Sequence, residues 1–124
     1  MSFSMPTVEE CFLPLLRVLA ESGTPLVEQI ALQTAKQQGF GSRASIVHIQ
    51  TDKRGVPLIQ QRLAWAKFYL IAAGFIQHRS RNLIQITDAG LEVAAANSCT
   101  WATLSNSRPW TQKFGLGWLP PQAG

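Results

Sequence analysis

Ile59, Leu63, Ala66, Leu70 and Ala73 recur at steps of four, three, four and three residues, and the run stops at Gly74. This spacing places all five on one face of a helix over about residues 57–73, started at Val56-Pro57. After Gly74 the pattern changes to short β-prone runs, Phe75-Ile76-Gln77-His78-Arg79 and Leu83-Ile84-Gln85-Ile86. Between them Ser80-Arg81-Asn82 gives a hairpin with a basic tip, and Asn82 tolerates a left-handed turn conformation. A long core-facing helix running straight into a hairpin makes the fold class α+β.

The flanking segments are mostly helical. Thr7-Val8-Glu9-Glu10 has the form of a capping box, followed by Val8, Cys11, Phe12, Leu15, Leu16 and Leu19 at helical steps. This predicts a helix over about 8–22, ending before Gly23, with Pro14 as a candidate kink. Thr24-Pro25 offers an N-cap and first-turn proline for a second helix to about Gln38, with Gly39 as its C-cap. Ile46-Val47-His48-Ile49 reads as a short strand, and Thr51-Asp52-Lys53-Arg54-Gly55 as a loop. Thr87 caps a last helix from Asp88 to about Asn97. The domain is expected over 7–97. Residues 98–124, rich in Trp and Pro and without a visible period, read as an irregular tail packed on the domain or on a partner subunit.

Charge separates these segments sharply. The 124 residues carry a formal net charge of +4. Residues 43–81 hold Arg43, Lys53, Arg54, Arg62, Lys67, Arg79 and Arg81 against Asp52 alone, a net +6. The preceding residues carry Arg17 and Lys36 against Glu9, Glu10, Glu21 and Glu28, a net −2. A concentrated basic segment points to a polyanionic partner, although a solvated basic face produces the same pattern. No window is long and apolar enough for a membrane span, and the N-terminus lacks the features of a signal peptide. The sequence therefore reads as a single-domain cytoplasmic protein.

Helix, helix, short strand, helix, hairpin, helix is the order of a winged helix-turn-helix. The helix over 57–73 would be the recognition helix, and residues 75–86 the wing. A helix fits the ~12 Å major groove, while a basic hairpin beside it reaches phosphates or the minor groove. The predicted DNA-binding set is Arg43, Lys53, Arg54, Gln60, Gln61, Ala64, Lys67, His78, Arg79, Arg81 and Asn82. Gln60 and Gln61 suit adenine edges, Ala64 permits close approach, and the cations suit phosphates. Trp65, Phe68, Ile71 and Ala72 make the same helix apolar on further sides. With Trp101, Trp110 and Trp118 of the tail, Trp65, Phe68 and Ile71 form a candidate set for tail packing or for a dimer seam.

Arg62-Leu63-Ala64-Trp65-Ala66, then Leu70 and Ala73-Gly74-Phe75-Ile76, resembles the R-x-x-W-A-x-x-x-L-x-x-A-G-φ-φ core of the N-terminal domain of Mrr-type restriction proteins (φ is apolar). Phe12-Leu13-Pro14-Leu15-Leu16-Arg17-Val18-Leu19 and Ile86-Thr87-Asp88-Ala89-Gly90 are similar to the opening helix and the wing exit of that family. The likeness covers about residues 8–97. It implies a winged-helix DNA-binding module, joined in full-length members to a metal-dependent nuclease that cuts modified DNA. This sequence departs from that pattern after Gly90, where Glu92 is the only acid, so the nuclease metal site cannot be built from it. Asn82 stands where the family often has Gly, and Gln61 where Asn is common, which leaves a preference for methylated DNA open.

No catalytic set is legible. His48 and His78 lack ligand-spaced partners, and Cys11 and Cys99 make no metal spacing. Gly39-Phe40-Gly41 and Gly115-Leu116-Gly117 lack the strand–turn–helix setting of a phosphate loop. The sequence thus predicts no enzyme, no cofactor, no metal and no small-molecule substrate. The predicted partner is double-stranded DNA, in a restriction-modification or transcription-regulation role. The alternatives are a protein-interaction or homodimerisation winged helix serving a nuclease in trans, and a shortened restriction protein.

Overall fold

The computed structural model describes residues 5–41 and 51–123. Arg43, His48 and the strand predicted at 46–49 lie outside them. Helix α1, Val8–Ser22, opens on the capping box: the Glu10 N–H donates to Thr7 Oγ1 at 3.2 Å, and the Thr7 N–H to Glu10 Oε1 at 3.3 Å. It runs through Pro14 and ends at Gly23, whose φ of 67° is the left-handed cap. Val8, Cys11, Phe12, Leu15, Leu16, Val18 and Leu19 are all buried.

The next residues depart from the sequence prediction. Strand β1, Leu26–Val27, precedes helix α2, Glu28–Phe40. The helix therefore starts three residues after the proline predicted to open it. Leu26 and Val27 instead pair antiparallel with Ile84 and Leu83 of the hairpin. Val27 offers no side-chain cap, and the Glu28 N–H donates to the Asn82 carbonyl at 2.8 Å. The tip of a hairpin distant in sequence thus supplies the acceptor that a local cap would have provided. Gly39 lies within α2 rather than capping it: a Cβ there would sit 2.9 Å from Pro14 Cβ, so its absence permits the close crossing of α1 and α2.

Helix α3, Leu58–Ala72, buries Ile59, Leu63, Ala66 and Leu70, as their spacing predicts, with Ala73 buried just beyond its end. Gly74 closes it at φ 82°. The Gly74 N–H donates to the Ile71 carbonyl and the Phe75 N–H to the Leu70 carbonyl, both at 3.0 Å, the bond pair of a Schellman motif. Strands β2, Ile76–His78, and β3, Leu83–Ile86, follow. The sheet order is β1-β3-β2, with Ile76 opposite Ile86 and His78 opposite Ile84. Helix α4 spans Asp88–Ala96. The architecture is α+β, ordered compatibly with a winged helix, and its small strand lies before α2. Helix α1 occupies the centre, against α2, α3, α4 and β3.

The tail is more ordered than its lack of period predicts. It contains helix α5, Trp101–Ser105, and helix α6, Arg108–Phe114, then a 3-10 turn at Pro121–Ala123. Thr100 and Ser107 cap the two helices. Both are too short for an amphipathic period to show. The Trp101 N–H donates to Glu9 Oε2 at 2.9 Å, tying α5 to the start of α1. Trp110 is wholly buried and donates from Nε1 to the Trp118 carbonyl at 2.9 Å. Tyr69 of α3 lies beneath the tail, with ring centroids 5.2 Å from Trp101 and 5.8 Å from Trp110.

Candidate nucleic-acid interface

Three segments carry the predicted contact residues: the loop before α3, the open side of α3 and the hairpin tip. The loop is organised by Asp52. Its Oδ1 accepts the Arg54 N–H at 2.8 Å and the Val56 N–H at 2.9 Å. Its Oδ2 accepts from Arg54 Nε at 3.2 Å and from Gln61 Nε2 on α3. The Val56 N–H foremost, with the Arg54 N–H and guanidinium, holds the Asp52 carboxyl below the usual carboxylate range, against an opposing effect of burial. Gly55, at φ 83°, completes the turn. Lys53 and Arg54 therefore project from a fixed loop, and the Arg54 side chain keeps 78% of its surface in solvent despite its 3.1 Å bridge to Asp52.

On α3 the predicted set divides. Gln60 and Ala64 are exposed. Gln61 is half-buried and engaged with Asp52. Lys67 is half-buried and ion-paired with Glu28 at the start of α2. Arg62 donates to the Pro6 carbonyl at 2.8 Å, inside the fold. The wheel places Gln61 and Lys67 on the outward side, but intramolecular carboxylates reach both first.

At the hairpin tip His78, Arg79, Ser80, Arg81 and Asn82 are all exposed. The Arg79 N–H donates to the Leu83 carbonyl at 2.9 Å and the Leu83 N–H to the Ser80 carbonyl at 3.4 Å. Asn82 does not take the left-handed conformation its residue type allows; Asn97, the C-cap of α4 at φ 60°, is the non-glycine residue that does among those described. The Asn82 carbonyl instead caps α2. Lys67, Glu28 and Asn82 thereby link α3, α2 and the hairpin tip on one side of the molecule. Lys53, Arg79 and Arg81 form no salt bridge among the described residues.

The aromatic set also divides. Trp101 and Trp110 are buried in the molecule's own core, and Ile71 packs partly buried against it. Trp65, Phe68 and Trp118 remain 44%, 41% and 40% exposed. Sequence reasoning missed Glu28, Asp52 and Tyr69. Glu28 reads as a helix-start or surface acid and Asp52 as part of a loop, and no local signal marks Lys67 or Gln61 as their partners. Tyr69 lies on the flank between the core face and Trp65, where the wheel alone assigns no neighbour.

No group of three or more His, Cys, Asp or Glu side chains that could hold a metal occurs among the described residues. Burial pushes the Cys11 and Cys99 thiols up to about 12, so both stay neutral and unreactive at physiological pH. No helix of the described residues is long and apolar enough to cross a membrane.

The residues behind the family resemblance have structural tasks. Ala66 is fully buried, and Gly74 closes α3. Thr87 Oγ1 donates to the Gly74 carbonyl at 2.6 Å and accepts the Gly90 N–H at 3.1 Å. A Cβ on Gly90 would lie 2.2 Å from the Phe75 carbonyl oxygen, so only glycine fits there. No curated protein and no solved structure was matched by this chain. The model of the Mrr N-terminal domain matches residues 9–96. With most of its length covered by that match, from the first turn of α1 to the end of α4, the chain belongs to the Mrr N-terminal domain family.

Proposed function

We propose that this chain is a non-catalytic module that binds double-stranded DNA. Helix α3 faces the major groove, and the β2–β3 hairpin lies along the backbone or in the minor groove. The observation that carries the reading is the hairpin tip. The Arg79 and Arg81 side chains stand exposed there without a salt bridge among the described residues, beside the start of α2, which the Glu28–Lys67 pair ties to α3. Family membership supports it, since the resemblance to Mrr-type restriction proteins implies a DNA-binding domain. Gln60 and Ala64 are the predicted base-reading residues that remain exposed and unengaged.

Lys53, Arg54, Arg79 and Arg81 supply the phosphate contacts. Lys67 and Arg62 are held within the fold and add little. Binding is therefore expected to weaken with salt at a log–log slope of about −3 to −4. Fluorescence anisotropy of labelled duplex DNA across a salt series tests this. Undetectable binding at low salt would falsify the proposal.

A further inference from the structure

Beside the open side of α3 lies a groove that duplex reading uses only at its Arg54 and Ala64 edge. Arg54, Gln61, Ala64, Trp65 and Phe68 line it. Its walls are aromatic. Tyr69 packs against the Trp65 indole at 5.6 Å and 21°, and Phe68 stands edge-on to it at 5.9 Å and 84°. Trp65 is thus fixed from the core side while 44% of its surface stays open. A fixed, half-open indole in a soluble domain is a stacking platform that its own fold leaves uncovered.

The rim is cationic. Arg54 stands at one end, with Lys53 beside it in the same loop. Lys113 of α6 stands over the wall residue Phe68, its Nζ 5.0 Å from the ring centroid. The adjoining acid, Asp52, is engaged by backbone N–H groups, Arg54 and Gln61. An apolar protein partner would gain nothing from such a rim. A planar aromatic ring attached to a phosphate chain matches both walls and rim.

We propose that this groove is a subsite for an unpaired nucleobase of bound DNA. The base stacks on Trp65, with Phe68 as the side wall and Arg54 and Lys113 at the flanking phosphates. Gln61 has its amide nitrogen on Asp52, so its carbonyl oxygen is left to accept from an exocyclic amino group of the base. The subsite rests on the DNA-binding reading above, because its groove continues the open side of α3 through Ala64.

Three oligonucleotides separate the two ideas: a perfect duplex, the same duplex with a single-nucleotide bulge, and the same bulge with an abasic residue. The base-containing bulge is expected to bind about tenfold more tightly than the abasic one. Trp65→Ala should bring that ratio close to one, and Trp65→Phe should restore part of it. A 2-aminopurine in the bulge should be quenched by the wild type and much less by Trp65→Ala. Both variants change a half-exposed side chain, and circular dichroism verifies that they fold. Equal affinity for base and abasic bulges, or a ratio that survives Trp65→Ala, overturns the subsite and leaves duplex binding intact. A dimer in light scattering that Trp65→Ala dissociates also overturns it, because a second copy would then cover the groove. Failure to bind any of the three overturns the duplex reading as well.

Discussion

Lys67 on α3 is ion-paired with Glu28 on α2, and the Glu28 backbone N–H is bonded to the Asn82 carbonyl at the hairpin tip. One acidic residue therefore ties helix α3 to the hairpin beside it. It also withholds a cation from the surface proposed to meet DNA. Glu28→Gln should leave the backbone bond in place and free Lys67. Duplex affinity should rise, and the salt slope should steepen by about one. Stability should fall by about 1 kcal/mol or less, since both side chains keep some contact with water. Anisotropy titrations and chemical denaturation of the same variant give both numbers.

In the proposed complex with DNA, Arg79 and Arg81 are expected to contribute charge rather than sequence reading. The double variant Arg79→Ala with Arg81→Ala should weaken binding to every duplex by a similar factor and flatten the salt slope by about two. Gln60→Ala should instead weaken binding to some sequences and spare others. Selection from a random duplex pool, read for wild type and each variant, distinguishes the two behaviours. A change in sequence preference from the arginine variant would contradict the assignment.

Two glycines make opposite predictions about stability. Gly90→Ala places a Cβ 2.2 Å from a backbone oxygen and 2.7 Å from Ile86 Cγ1. Neither atom can move without disturbing the sheet or the start of α4. A loss of more than about 2 kcal/mol is expected. Among the described residues nothing lies within 4 Å of the Cβ direction of Gly41, which has an ordinary helical φ of −55°. Gly41→Ala should be neutral, or stabilising by about 0.5 kcal/mol through the unfolded chain. Urea midpoints at constant slope test both.

The tail is part of the core. Trp110 is fully buried among Tyr69, Phe114 and Trp118. Trp110→Ala should lower stability by about 3–5 kcal/mol. Trp118→Ala, at a 40% exposed position, should cost markedly less. Comparable losses for the two would contradict this packing.

The loop before α3 has an acid limit set by Asp52. Hydrogen bonds from Val56 and Arg54 depress its folded pKa below the ordinary value. A depressed carboxylate stabilises fully above its unfolded pKa, about 3.9, and that contribution disappears as pH falls through the folded value. Asp52→Asn should therefore be less stable than wild type near neutral pH. The difference should shrink once pH drops below about 4. Parallel thermal melts of the two proteins from pH 7 to pH 2 measure it. A difference that is constant with pH would mean that the carboxylate charge is not involved.

Much of the helical framework was legible because its signals are local. Thr7 and Glu10 are three residues apart and cap their own helix, and the apolar steps from Ile59 to Ala73 mark the buried side of α3 unaided. The hairpin likewise follows from two β-prone runs around a polar tip. The candidate site was legible in its composition and only partly in its availability. Charge counting places Gln61, Arg62 and Lys67 among residues of one basic segment. Folding delivers an acid or a carbonyl to each from 9, 56 and 39 residues away.

By itself the sequence determined the caps, the helical periods and the hairpin, since each depends on residues within a few positions. The tertiary structure alone decided that Leu26 and Val27 form a strand rather than a helical turn, because their partners, Ile84 and Leu83, are supplied by the hairpin. It decided that the tail belongs to the core, because Tyr69 and Trp110 meet only when α6 folds back over α3. It also decided which cations remain free, because the strength of a charge at the surface depends on the nearest carboxylate in space, and chain order does not reveal that neighbour.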